Sequence, residues 1–125
     1  MRILITGSRD WTNQNAVYGA IHMAIFEISE LIGSRTTGEP AVTIVHGHCP
    51  TGADAIANRM IGLEIERHPA DWEEHGRAAG PIRNAEMVAL GADVCLAFIK
   101  NNSKGATGCA LLAEKAGIPT RRFFA

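Results

Sequence analysis

Aromatic residues are scarce in this chain of 125 residues: two Trp, one Tyr and four Phe, 6% of the whole. That is too few for an extended platform of stacked rings on single-stranded nucleic acid. Charge of one sign is missing too. Twelve Lys and Arg stand against thirteen Asp and Glu, a formal net charge of −1. This excludes an overall basic nucleic-acid binder and leaves room only for a local basic patch. The three cysteines, Cys49, Cys95 and Cys109, are odd in number and widely spaced, so a disulfide framework is not expected. No apolar run approaches the roughly 20 residues of a membrane span, and Met1-Arg2-Ile3-Leu4-Ile5 is too short for a signal-peptide core. Internal repeats, low-complexity tracts and domain-breaking linkers are also lacking. What is present is an average globular composition, 46% hydrophobic and 20% charged, in a chain long enough to bury on the order of two-thirds of its unfolded surface. The expectation is one cytoplasmic domain, 1–125, with no membrane partner.

Short apolar runs alternate with longer amphipathic segments. Ile3-Leu4-Ile5 reads as a strand and ends at Thr6-Gly7-Ser8-Arg9-Asp10. From about Asn13 to Ile32, Val17, Ile21, Ile25, Ile28 and Leu31 recur at helical spacing. Val42 to Val45 is a second strand, followed by the loop His46 to Gly52 and a helix from Thr51 or Gly52 to Met60. Leu63-Glu64-Ile65-Glu66 alternates as a half-wet strand does. A loop carrying Pro69, Asp71 and Trp72 leads past Gly80-Pro81 into a helix, then comes the apolar strand Val94 to Ile99. The polar stretch Lys100 to Thr107, a helix from Gly108 to Ala116 and a strand from Thr120 to Phe124 complete the chain. Five strands interleaved with four helices predict an α/β, Rossmann-like three-layer domain with a parallel sheet. The third strand alternates and the last holds Arg121 and Arg122, so both belong at edges. The order 3-2-1-4-5 meets this with right-handed crossovers, and it places a ligand crevice between the first and fourth strands at their carboxyl ends.

The loops meeting at that crevice carry the candidate residues. After the first strand, Gly7 permits close backbone approach, Ser8 offers a hydroxyl and Arg9 a planar fork suited to phosphate, with Trp11 beside them. The alternative is an ordinary turn capped by Asp10 or Thr12. After the second strand, His46 and Gly47 lead to Thr51, Gly52 and Ala53, whose unpaired amides at a helix start form a ready anion site. Asp54, in the first turn, is either a dipole-favoured surface acid or a group that holds a ribose or a neighbouring loop. His46, His48 and Cys49 lack the second ligand pair a zinc site needs, and His68 and His75 are loosely placed, so neither metal nor cofactor is expected. After the fourth strand, Ser103, Lys104, Gly105 and Thr107 supply amides, hydroxyls and a point charge. Neither G-x-x-x-x-G-K-[ST] nor G-x-G-x-x-G after the first strand occurs. Arg83 and Asn84 lie in the first turn of the helix opened by Pro81, where a cation is locally unfavourable and calls for an anionic partner. That partner is a ligand or, alternatively, Glu86 or Asp54. Glu86 itself is a clamp for Arg83, an acid-base group or a solvated residue.

Gly7-Ser8-Arg9, His46-Gly47, Thr51-Gly52-Ala53-Asp54, Ala70-Asp71-Trp72, the run from Gly76 to Met87, Ser103-Lys104-Gly105 and Ala116-Gly117-Ile118-Pro119 together resemble the YspA, cpYpsA-related branch of the SLOG superfamily. The resemblance spans nearly the whole chain apart from the insert Gly33 to Pro40, and Ala70 to Met87 is its most specific part. It implies a Rossmann-like domain that binds nucleotides or nucleotide-derived ligands. The same superfamily contains the Lonely Guy phosphoribohydrolases, which cleave the N-glycosidic bond of nucleoside monophosphates. Their R-K-x-x-M motif is matched by Arg83-Asn84-Ala85-Glu86-Met87, with Asn84 in place of lysine. Their P-G-G-x-G-T-x-x-E motif falls on Asn101 to Cys109, where Gly105 is kept and Cys109 occupies the position of the catalytic glutamate.

Glycosidic cleavage builds positive charge on the ribose, which a carboxylate stabilises while activating water. A cysteine serves there only as a thiolate. A sensor or carrier of a nucleotide-type small molecule is therefore the first expectation. An enzyme using Arg83 and Glu86 comes second, and a single-stranded DNA binder fits least. The helix from Asn13 to Ile32 carries Met23, Phe26 and Ile32 beyond its main stripe, an arc wide enough for a homodimer unless the loop Gly33 to Pro40 covers it.

Overall fold

The computed structural model describes residues 1–32 and 41–125. Its elements run β1 (Arg2–Gly7), α1 (Gln14–Ile32), β2 (Thr43–His46), α2 (Gly52–Asn58), β3 (Glu64–Arg67), α3 (Trp72–His75), a 3₁₀ turn (Gly76–Ala78), α4 (Ala79–Ala89), β4 (Val94–Ile99), α5 (Lys104–Lys115) and β5 (Thr120–Phe124). All neighbouring strands are parallel, in the order β3-β2-β1-β4-β5. This is the order expected from the apolar and charged strands, with the reversal of winding between β1 and β4.

Alternation along each strand sorts the core into two layers, because successive side chains leave a strand on opposite faces. On one face Ile3, Ile5, Ile44, Leu96 and Phe98 pack with Val17, Ile21 and Ala24 of α1 and with Ile56 of α2. On the other, Leu4, Val45 and Cys95 pack with Met87 and Val88 of α4 and with Cys109 and Ala113 of α5. Every residue of β4 is buried. At 1.5–3 kcal/mol for each large apolar side chain taken from water, the central strands supply much of the stabilisation. Phe98 extends this core toward the crevice end, edge-on to Trp11 at 5.3 Å and stacked on Phe123 at 5.0 Å.

The edge arginines are held by both helical layers: Arg121 pairs with Glu27 of α1, and Arg122 with Glu114 of α5. Two elements differ from expectation. α5 begins at Lys104, a turn before Gly108, because the Ser103 side chain accepts a hydrogen bond from the Ala106 amide at 3.4 Å and caps it. The stretch around Asp71 is also partly helical. The Asp71 carboxylate accepts from the Glu74 amide at 3.0 Å, which starts α3. The insert Gly33 to Pro40 lies outside the described residues.

Candidate functional site

A cleft of about 1240 Å³ opens at the carboxyl ends of β1 and β4. Its floor is set by an interlock between the loops that follow these two strands. The buried Ser8 hydroxyl donates to the Lys100 carbonyl at 3.1 Å and accepts from the Lys100 amide at 2.7 Å, while the Ser8 amide donates to the Phe98 carbonyl. Asn101 and Asn102 take the left-handed conformation (φ 52° each) to turn the chain back toward α5. Asn101 then donates to the Asp10 carboxylate at 2.7 Å.

Of the residues singled out from the sequence, Gly7, Ser8, Arg9, Gly47, Asp54, Arg83, Asn84, Ser103, Lys104 and Gly105 line this cleft. The others sit elsewhere. Trp11 is core, its indole N–H spent on the Asn13 carbonyl. His46 is fully buried, and its Nε2 is 3.0 Å from Asn58 Oδ1. Its Nδ1 accepts from the His48 amide, and burial pulls its pKa down. Thr51 is exposed, Thr107 is half-buried, and Glu86 is exposed and away from the cleft. Gly52 and Ala53 are packing positions. A β-carbon on Gly52, which has φ +75°, would meet the Ser8 carbonyl oxygen at 2.1 Å, and one on Gly7 would meet Ala53 Cβ at 2.4 Å. The start of α2 is thus pressed against the loop after β1. The helix starts that open on the cleft are those of α4, through Gly80 and Pro81, and of α5, through Lys104 and Gly105.

Arg83 does not pair with Glu86 or Asp54. Its Nε donates to Asn84 Oδ1 at 2.8 Å, and its Nη1 donates to the carbonyls of Gly47 and His68. Gly47 is required for this contact, since a β-carbon there would lie 2.4 Å from Nη1. Four cationic side chains line the cleft, Arg9, Arg83, Lys100 and Lys104. None of them is paired with a carboxylate among the described residues. Two carboxyl groups share the lining, Asp10 and Asp54.

Asp54 is not a surface acid. It is 7% exposed, Oδ2 accepts from the Cys49 amide at 3.3 Å, and Oδ1 is buried with no hydrogen-bond partner among the described residues. Burial pushes its carboxyl up to about 6, partly offset by the Cys49 amide and the charge of Arg83. Cys109 is fully buried and does not line the cleft. Burial raises its pKa, so it stays a thiol and does not replace a carboxylate. Among the described residues no cluster of three or more His, Cys, Asp or Glu could hold a metal ion, and no helix is long and apolar enough to cross a membrane.

The cleft also contains residues that the sequence reading did not assign to it: Asp10, His48, Cys49, Lys100, Asn101 and Trp72. Trp72 had a usable signal. It follows β3, and every loop after a parallel strand emerges on the same side of the sheet.

A model of the family described as YspA, cpYpsA-related SLOG matches residues 1–75, from β1 through α3. The stretch with Arg83, Asn84 and Lys104 lies beyond that match. The Gene 61 protein of Mycobacterium phage D29 is 43% identical over 130 residues, covering 98% of this chain and 95% of that protein. No solved structure matches. A family match over more than half of the residues, on a parallel sheet wound in the order 3-2-1-4-5, places the chain in the YspA, cpYpsA-related SLOG family.

Proposed function

We propose that this protein binds a nucleotide or nucleotide-derived anionic ligand in the cleft between β1 and β4, as a sensor or carrier domain. The observation that carries the reading is the convergence of Arg9, Arg83 and Lys104 on one cavity with no carboxylate among the described residues paired to any of them. On a chain whose formal charge is −1, four cations around one cleft concentrate positive potential where a phosphate would enter. Arg83 is held by carbonyl acceptors that orient the fork without neutralising it, leaving its charge for the ligand. Membership of the SLOG family is consistent with a nucleotide-related ligand. Calorimetric titration with nucleoside 5′-monophosphates and the corresponding nucleosides tests it. The phosphorylated forms should bind more tightly, and Arg83→Ala should weaken them roughly tenfold or more, the size of a lost charge-assisted hydrogen bond. Equal binding of nucleosides and nucleotides, or indifference to Arg83→Ala, rejects the reading.

One observation favours a phosphoribohydrolase as the second reading. The Asp54 carboxyl lies in the cleft with an oxygen that has no partner among the described residues, and burial pushes its pKa up to about 6. Its ionised form is suited to taking a proton from water as the water oxygen bonds to the anomeric carbon and the base departs with the electron pair of the glycosidic bond. Free base released from a nucleoside 5′-monophosphate, and lost in Asp54→Asn, supports the enzyme. Binding without release supports the sensor.

The homodimer belongs to the same proposal. α1 buries Val17, Ala20, Ile21 and Ala24, yet leaves Met23 55% and Phe26 63% exposed on its outer side. Light scattering should give twice the 13.4 kDa chain mass, falling to the monomer in Phe26→Asp. A monomeric wild type rejects the dimer.

A further inference from the structure

Trp72 is the residue around the cleft that anion binding leaves unused. It opens α3 and is 50% exposed, whereas the chain's other tryptophan, Trp11, is 4% exposed. Its ring lies across the start of α4, where residue 80 has no side chain. A β-carbon on Gly80 would be 3.4 Å from Trp72 Cη2 and 3.9 Å from Arg83 Nη2. The indole edge and the phosphate-seeking guanidinium therefore border the same small space. Arg9 Cζ stands over the indole, 5.8 Å from its centroid, within reach of a cation–π contact. Pro69, Ala70 and Pro81 continue this wall with apolar surface.

Resting on the nucleotide reading above, we propose that Trp72 is the platform on which an aromatic base of the ligand stacks, with Arg9 as its cover and Arg83 on the phosphate side. The ligand class narrows accordingly to molecules carrying both an aromatic base and a phosphate, as against sugar phosphates and inorganic anions. A base entering between Arg9 and Trp72 needs two contact layers of about 3.5 Å each, about 7 Å in all. The present separation is 5.8 Å. Arg9 is exposed and unbranched, so the opening takes only a rotamer change. Because every base has a π-face, Trp72 distinguishes base from no base and does not choose among bases.

Adenosine, guanosine and uridine 5′-monophosphates and ribose 5-phosphate are to be titrated by calorimetry into wild type, Trp72→Ala and Trp72→Phe. Wild type is expected to hold the nucleotides roughly tenfold or more tighter than ribose 5-phosphate, the contribution of one stacked base. Trp72→Ala closes that gap without changing ribose 5-phosphate binding, and Trp72→Phe restores most of it. Tryptophan emission should be quenched by nucleotides in wild type and not in Trp72→Phe, where only the buried Trp11 emits. Equal wild-type affinity for nucleotides and ribose 5-phosphate overturns the platform while the anion site stands. So does a gap that survives Trp72→Ala, or a Trp72→Ala loss shared equally by all four probes. Failure of every probe to bind wild type overturns the anion site and the platform with it.

Discussion

Gly47 and Arg83 work as a pair, and the glycine carries half of the design. The guanidinium lies where a β-carbon at position 47 would be, 2.4 Å from Nη1 and 2.6 Å from Cζ. The group that must yield is the far end of a flexible side chain, not backbone, so Gly47→Ala is expected to evict the guanidinium while costing the fold about 1 kcal/mol or less. Nucleoside monophosphate affinity should then fall about as far as in Arg83→Ala, with a melting temperature close to wild type. A variant that binds normally, or one that unfolds, would contradict this account of Gly47. At this scale the sequence exposed types more readily than places. Arg9, Arg83 and Lys104 could be chosen because phosphate chemistry calls for such groups after strand ends. That Asp54 is buried could not be read, because the first turn of a helix favours an acid whether it faces water or protein. Gly7 was legible as a close approach, but the partner is Ala53 of α2, and partners of that kind are fixed only by packing.

At the scale of elements, what was legible followed from periodicity and what was not followed from side-chain caps. β4 and β5 match their expected bounds, Val94–Ile99 and Thr120–Phe124, since continuous apolar character marks β4 along its whole length and the Gly117 turn and Pro119 mark where β5 begins. α1 begins within a residue of expectation because Val17, Ile21, Ile25 and Ile28 recur at helical spacing. α5 starts earlier than its apolar stripe because a Ser103 cap depends on one hydrogen bond, and its first turn, Lys104 to Thr107, holds polar and small residues with no large apolar side chain. A polar first turn reads as loop when hydrophobic spacing is the guide, yet that turn brings Lys104 and the free amides of α5 to the site. α3 escaped notice because four residues are too few for any period. Its start depends on the Asp71 carboxylate, and its one indole gives the cleft its aromatic wall. The elements that sequence patterning described least well are those that shape the site, as expected where local preference yields to function.

For the whole molecule, topology was the most legible feature, because one charged strand and one alternating strand leave few orders for a buried parallel sheet. The corresponding whole-molecule quantity is stability as a function of pH, and Asp54 dominates one window of it. Its carboxyl rises from 3.8 unfolded to about 6 folded, so between these values the native state binds more protons than the unfolded state. Stability therefore falls as pH rises through that window. The full cost of holding the ionised group buried is on the order of 3 kcal/mol. Glu66 acts with the opposite sign: Arg2 and His68 hold it down from 4.5 to about 2, so its contribution is fully present above the ordinary carboxylate range and is lost progressively as pH falls through that interval. Buried His46, with its pKa lowered below 6.5, opposes Asp54 in part, since it favours the native state as pH rises. Comparison with Asp54→Asn cancels both. Urea unfolding from pH 4.5 to 7.5 should show the variant gaining on wild type by roughly 1–3 kcal/mol across the range, with the change centred between 4 and 6. A difference that stays flat with pH would show that Asp54 ionises as freely in the folded chain as in the unfolded one. A persistent slope would mean that the fold gives up stability to keep in the cleft a carboxyl whose Oδ1 has no hydrogen-bond partner among the described residues, the kind of sacrifice that collects where a ligand is held.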